Sequence, residues 1–118
     1  MAKKVFKQAL ANLQEAFELV KDKKNWIQDD FEEYEYDEDG DPVGEPVRFC
    51  AIGAVQYVDG RGEARAIDLL DQAREELFPK FAHIPDLNDT GSRAAAHKRV
   101  VKIFQRAIQL AKGAPAVA

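Results

Sequence analysis

The chain is poor in the residues from which most active sites are built. Its 118 residues include one cysteine (Cys50), two histidines (His83 and His97) and one tryptophan (Trp26). A single cysteine excludes an intramolecular disulfide and suits a reducing compartment, so a cytoplasmic location is expected. The spacings of Cys50, His83 and His97 match no closed zinc pattern. No metal site and no cofactor are expected. No apolar run approaches the roughly 20 residues of a membrane-spanning helix. Lys3, Lys4 and Lys7 are followed by polar residues on a helical period, not by the apolar core of a signal peptide. The chain also lacks a Gly-rich phosphate loop after a strand, a serine nucleophile elbow and a pair of histidines on one helix face.

Charge of one sign is missing from two long stretches. Residues 25–47 hold ten carboxylates and no Lys or Arg, and residues 90–118 hold six cations and no carboxylate. The net charge of -4 therefore hides a strong asymmetry. Sequence-level charge bears on association more than on fold. Two readings follow. The acidic segment packs against the basic ends of its own chain, or it is a surface offered to a basic partner.

What is present is the pattern of one small domain, expected over residues 1–112, with a flexible tail at 113–118. Phe6, Leu10, Leu13, Phe17 and Val20 recur every three or four residues, which predicts a helix over Val5–Val20. Trp26 follows as a core anchor. Residues 31–36 and 42–48 flank Asp39-Gly40, a strong hairpin signal. Asp37, Asp39 and Asp41 alternate as in an EF-hand loop, but Pro42 and Arg48 stand where that loop needs Gly and Glu. Cys50–Val58 reads as a short, buried helix. Gly53 in its interior costs about 1 kcal/mol relative to Ala, tolerable where a neighbour approaches closely. Asp59–Gly62 reads as a turn. A helix is predicted over 63–78, with Ile67, Leu70, Ala73 and Leu77 inward and Asp68, Asp71, Gln72, Glu75 and Glu76 outward. Pro79 ends it. Residues 79–92 read as a long loop pinned by Phe81, Ile84 and Leu87. A last helix over 93–112 turns Val100, Val101, Phe104, Ala107, Ile108 and Ala111 inward and Lys98, Arg99, Lys102 and Arg106 outward. The fold expected is α+β, mainly α: about four helices packed around the central Cys-x-x-Gly-Ala helix, with one β-hairpin.

Three features could carry chemistry. Cys50 stands where a helix is expected to start, a position that lowers a thiol pKa, and Arg48 would act in the same sense. The plainer reading is a small buried side chain. His97 lies at the inner edge of the last helix. It is either a buried, hydrogen-bonded residue or a general base for Cys50, oriented by Asn88 or Asp89. Arg99, Lys102 and Arg106 could contact phosphates, but a net acidic chain with no nucleic-acid motif makes nucleic acid a poor partner.

Trp26, the Cys50-Ala51-Ile52-Gly53-Ala54 run, Asn88-Asp89 and the Phe104-Gln105-Arg106-Ala107-Ile108 run occur in the order seen in a family of small bacterial and phage domains of unknown function. The chain resembles that family over roughly residues 8–111. In the family pattern a Thr-His pair closely follows Asn-Asp. Here His97 stands behind Ala94-Ala95-Ala96, so no role for it is carried over. The resemblance implies no activity.

The leading expectation is a non-enzymatic interaction module of phage descent. Its acidic hairpin (Glu32, Glu33, Glu35, Asp37, Glu38, Asp39) would engage a basic protein. The alternatives are a cysteine-dependent enzyme using Cys50 and His97, with Asn88 and Asp89 in support, and phosphate or nucleic-acid binding through the last helix. A homodimer is compatible with the layout, the hairpin of one copy meeting the basic helix of another.

Overall fold

The computed structural model describes residues 5–60 and 65–115. The expected helix start at Glu63, half of the Asp59–Gly62 turn and tail residues 116–118 lie outside them. The described elements run α1 (Lys7–Val20), a 3-10 turn (Lys23–Asn25), β1 (Glu32–Tyr36), β2 (Pro42–Phe49), α2 (Ala51–Asp59), α3 (Arg65–Leu77), α4 (Ile84–Asp89) and α5 (Arg93–Ala111). The protein is α+β and mainly α, as expected. The stretch 79–92 is not all loop, however. Pro85 sits in the first turn of α4, where its missing N–H costs nothing and its fixed φ favours the helix.

Each long helix buries one stripe. α1 turns Ala9, Leu13, Ala16 and Val20 inward, and its Phe17 stacks on Phe104 of α5 at 5.8 Å between ring centroids. α5 buries Ala96, Val100, Ile103, Phe104, Ala107, Leu110 and Ala111. Ser92 caps its start by accepting from Ala95 N–H at 3.2 Å, and Gly113 stops it at φ +98°. α2 is buried along Ala51, Gly53, Ala54 and Val55 and touches α1, α3, α4 and β2.

The stripe of α3 corrects the expectation. Ala66, Leu69, Leu70, Ala73 and Arg74 are buried, while Leu77 is exposed. The inward face is thus rotated from the Ile67–Leu77 line, because α3 packs against α5 and α1 at once. Arg74 is tolerated inside because it pairs with Asp71 at 2.7 Å and donates to Phe81 O at 2.6 Å. Glu76, expected outward, has a largely covered side chain that pairs with Arg106 of α5 at 2.9 Å.

β1 and β2 form a two-stranded antiparallel sheet with Glu32 opposite Phe49 and Tyr36 opposite Pro42. The register shifts between Glu33 and Glu35. Gly44 at φ +70° and Pro46, which cannot donate to a ladder, occupy the extra length of β2. At the turn, the Asp37 carboxylate accepts from Asp39 N and Asp41 N, both at 2.9 Å. Only the base of the hairpin docks. Phe49 is buried against Tyr57 of α2 and Ile27 N donates to Phe49 O at 3.0 Å, while residues 35–45 are exposed.

Candidate functional site

Asn88 is the polar centre of the molecule and is fully buried. Its side-chain oxygen accepts from Trp26 Nε1 at 2.7 Å and from Ala51 N at 3.0 Å. Its Nδ2 donates to Ile27 O at 3.0 Å and to Asp89 Oδ1 at 2.7 Å. Two of these partners can only donate and Ile27 O can only accept, so the amide has a single orientation and is fully satisfied. One side chain thereby joins the Trp26–Ile27 segment, the start of α2 and the end of α4. Asp89 Oδ1 also accepts from Asp29 N at 2.8 Å, holding Asp29 in a left-handed conformation at φ +68°.

Cys50 is the N-cap of α2 rather than its first helical residue. Its sulfur accepts from Gly53 N at 3.3 Å. Burial pushes the thiol above its ordinary value, and the N–H groups of Gly53 and Ile52 offset this only in part. The expected lowering at a helix start is therefore overturned by desolvation. Arg48 is turned to Glu33 and Lys24 O.

His97 is placed elsewhere. Its Nε2 meets Val20 O at 2.7 Å, so that nitrogen carries the proton and donates. Its ring lies against Trp26, centroids 5.2 Å apart, and the Arg93 guanidinium lies 5.1 Å from the same indole. The structure thus brings Cys50, Asn88 and Asp89 together and leaves His97 on the Trp26 and Val20 side. Asn88 orients Trp26 and α2, not the imidazole.

Of the expected basic face, Arg99 donates to Leu87 O and Thr90 O and lies over the Phe81 ring, and Arg106 holds Glu76 and Pro115 O. Lys98 and Lys102 remain exposed without a partner among the described residues. Two of the three cations expected to contact phosphate are thus engaged inside the chain.

The acidic hairpin follows a different rule. Glu33 pairs with Arg48, and Glu32 accepts from Tyr34 OH at 3.1 Å. Glu35, Asp37, Glu38, Asp39 and Asp41 face no Lys or Arg among the described residues. Among the described residues, no Lys or Arg of residues 5–24 or 90–115 pairs with a carboxylate of this segment. Exposed apolar groups stand among the carboxylates: Phe31 (54% exposed), Tyr36 (59%) and Val43 (53%). Sequence reasoning missed Phe31 as a surface residue, as well as the adjacent carboxylates of Asp29 and Asp30. The Asp-Asp-Phe run was the only signal, and nothing local separates an exposed Phe from a buried one.

Concave surface gathers next to this segment. Asp29, Asp30 and Phe31 on one side and Ile84, Pro85 and Asp89 on the other frame a depression of about 260 Å³, with Cys50, Ile52 and Asn88 at its wall. Among the described residues no group of three or more His, Cys, Asp or Glu side chains is arranged to hold a metal ion.

These features define a small helical domain tied by a buried Asn–Trp hub, with a carboxylate-rich hairpin projecting from it. The chain belongs to a family of unknown function, DUF6197, whose model matches residues 7–110. No curated protein and no solved structure matches it. No described helix is long and apolar enough to cross a membrane.

Proposed function

We propose that the protein is a non-enzymatic interaction module that receives a basic protein on Glu32, Glu33, Glu35, Asp37, Glu38 and Asp39 of its hairpin. One observation carries this reading. Glu35, Asp37, Glu38, Asp39 and Asp41 have no cation partner among the described residues, while Arg74, Arg93, Arg99 and Arg106 are engaged in the helical body. Unneutralised like charge raises the energy of the free protein, and a basic partner relieves it and is steered toward it. Tyr36 and Val43 add the apolar contact that charge alone does not supply. The lone free cysteine suits the cytoplasm as the setting.

Pairing of the hairpin with α5 of a second copy is the weaker arrangement, because Lys98 and Lys102 are the chief cations α5 still offers. Nothing favours the cysteine-enzyme reading: the thiol is buried with its pKa raised, and the imidazole is bonded elsewhere.

The test is affinity capture with cross-linking, comparing the native chain with Glu35→Lys/Glu38→Lys/Asp39→Lys. Basic proteins cross-linked to the hairpin in the native chain should be lost in the variant. Retention of the same partners by the variant sinks the proposal.

A further inference from the structure

Phe31 stands between two depressions. One is the 260 Å³ recess beside Cys50 and α4. The other, of about 420 Å³, lies between the same segment and Gly53, Gln56 and Tyr57 of α2. Asp30 and Phe31 line both, so the two depressions adjoin along these residues, with Phe31 as an aromatic ridge between them. No Lys, Arg or His lines either lobe among the described residues, whereas Asp29, Asp30, Glu32 and Asp89 do.

We infer that the two lobes together are the docking groove for an extended basic segment of a partner protein, which seats a Lys or Arg side chain in the lobe beside Cys50 and crosses Phe31 toward the hairpin. This rests on the reading of the hairpin above and assigns the partner's contact segment and anchor.

The lobe's chemistry selects the occupant. At about 260 Å³ it lies below the roughly 300–1,000 Å³ typical of cofactor and drug-sized sites, so it suits one side chain. Its Ile52, Ile84 and Pro85 surfaces suit an apolar stem, and its carboxylates suit a cationic head, the two halves of Lys or Arg. Asp89 Oδ1 is already occupied by Asp29 N and Asn88 Nδ2. The Asp29 carboxylate has no partner among the described residues, and Asp30 engages only the N–H of Phe31, at 2.8 Å. The exposed Phe31 face offers a cation–π contact on the path. An anionic ligand would be repelled, and an uncharged apolar one would leave the carboxylates unexplained.

The experiment is an amide-resolved NMR titration of the full chain with the peptide acetyl-Val-Lys-Val-Arg-Val-Lys-amide, alongside a control with Glu at each cationic position. The expected result is shifts clustered at Asp29–Phe31, Ile52–Gly53 and Asn88–Asp89, with none from the control. Asp30→Asn, which keeps an acceptor for Phe31 N, should weaken binding about fivefold at low salt, and Phe31→Ala about tenfold. Absence of shifts, or unchanged affinity in both variants when each is natively folded, overturns the groove. Shifts confined to residues 35–41 and abolished by the hairpin charge reversal also overturn it while leaving the acidic-hairpin reading standing. Should either variant unfold, the site of the shifts in the native chain decides.

Discussion

Gly53 lies directly against the backbone of Phe31. A Cβ at Gly53 would fall 1.8 Å from Phe31 O and 2.7 Å from its carbonyl carbon. The same oxygen accepts from Cys50 N at 3.1 Å, so the approach is fixed from two sides. Helix propensity alone predicts that Gly53→Ala gains about 1 kcal/mol. The contact predicts the opposite sign, because backbone cannot rotate away as a side chain can. Gly53→Ala should lose about 2–4 kcal/mol through overpacking and the strained hydrogen bond. Urea unfolding reads the sign directly, and a stabilised variant would show that Phe31 is free to move.

Asn88 should be the most sensitive polar position. Asn88→Ala leaves Trp26 Nε1, Ala51 N and Ile27 O without their partner. Each orphaned buried group costs about 1–3 kcal/mol, so a loss of at least about 3 kcal/mol is expected. Asn88→Asp keeps the acceptor but sets an oxygen against Ile27 O and Asp89 Oδ1. Its destabilisation should shrink on acidification, as protonation restores one donor. The fluorescence of the only tryptophan follows both unfolding transitions.

The Glu76–Arg106 pair joins α3 to α5 with both side chains largely buried. Glu76→Gln should cost about 3–5 kcal/mol by leaving the guanidinium uncompensated. Glu76→Leu/Arg106→Met should fall within about 1 kcal/mol of the native chain, since it removes the desolvation penalty together with the attraction. Thermal melts of Glu76→Leu, Arg106→Met and the double variant form the cycle. A loss in the double variant equal to the sum of the two single losses would mean that the pair does not act as a unit.

Cys50 should be a slow thiol. Its raised pKa leaves less thiolate near neutral pH than a free cysteine, whose pKa is about 8.5. Iodoacetamide should react slowly at pH 8 and faster as pH rises, and urea should abolish the difference. The linked stability effect has a fixed sign. The folded form holds its proton more tightly, so this contribution is complete below the unfolded pKa and is lost as pH rises through the folded value. Rapid alkylation of the folded chain at pH 7 would contradict the burial.

Much of the fold was legible in the residues, and the limits were local. Asp39-Gly40 places the hairpin turn because few other pairs fit that backbone. The Leu13–Phe17–Val20 spacing places α1. Gly53 announced a close approach but not its source, since Phe31 lies 22 positions earlier, in the segment that leads into β1. Leu69 in place of Leu77 on the inner face of α3 was not legible, because a helix flanked by two partners buries a wider and rotated stripe. The recess beside Phe31 was invisible, since its walls come from three segments.

The sequence by itself determined the class of the domain, the hairpin and the charge asymmetry, because periodicity, turn chemistry and composition are local properties of the chain. Only the tertiary structure decided what the charges do. Burial desolvated the Cys50 thiol, drew Arg99 and Arg106 into the body and turned Asn88 from a candidate orienter of His97 into the link between Trp26 and α2. Among the described residues it left the distal hairpin carboxylates, Glu35, Asp37, Glu38, Asp39 and Asp41, without cations of their own, because which charges meet depends on packing across long sequence separations.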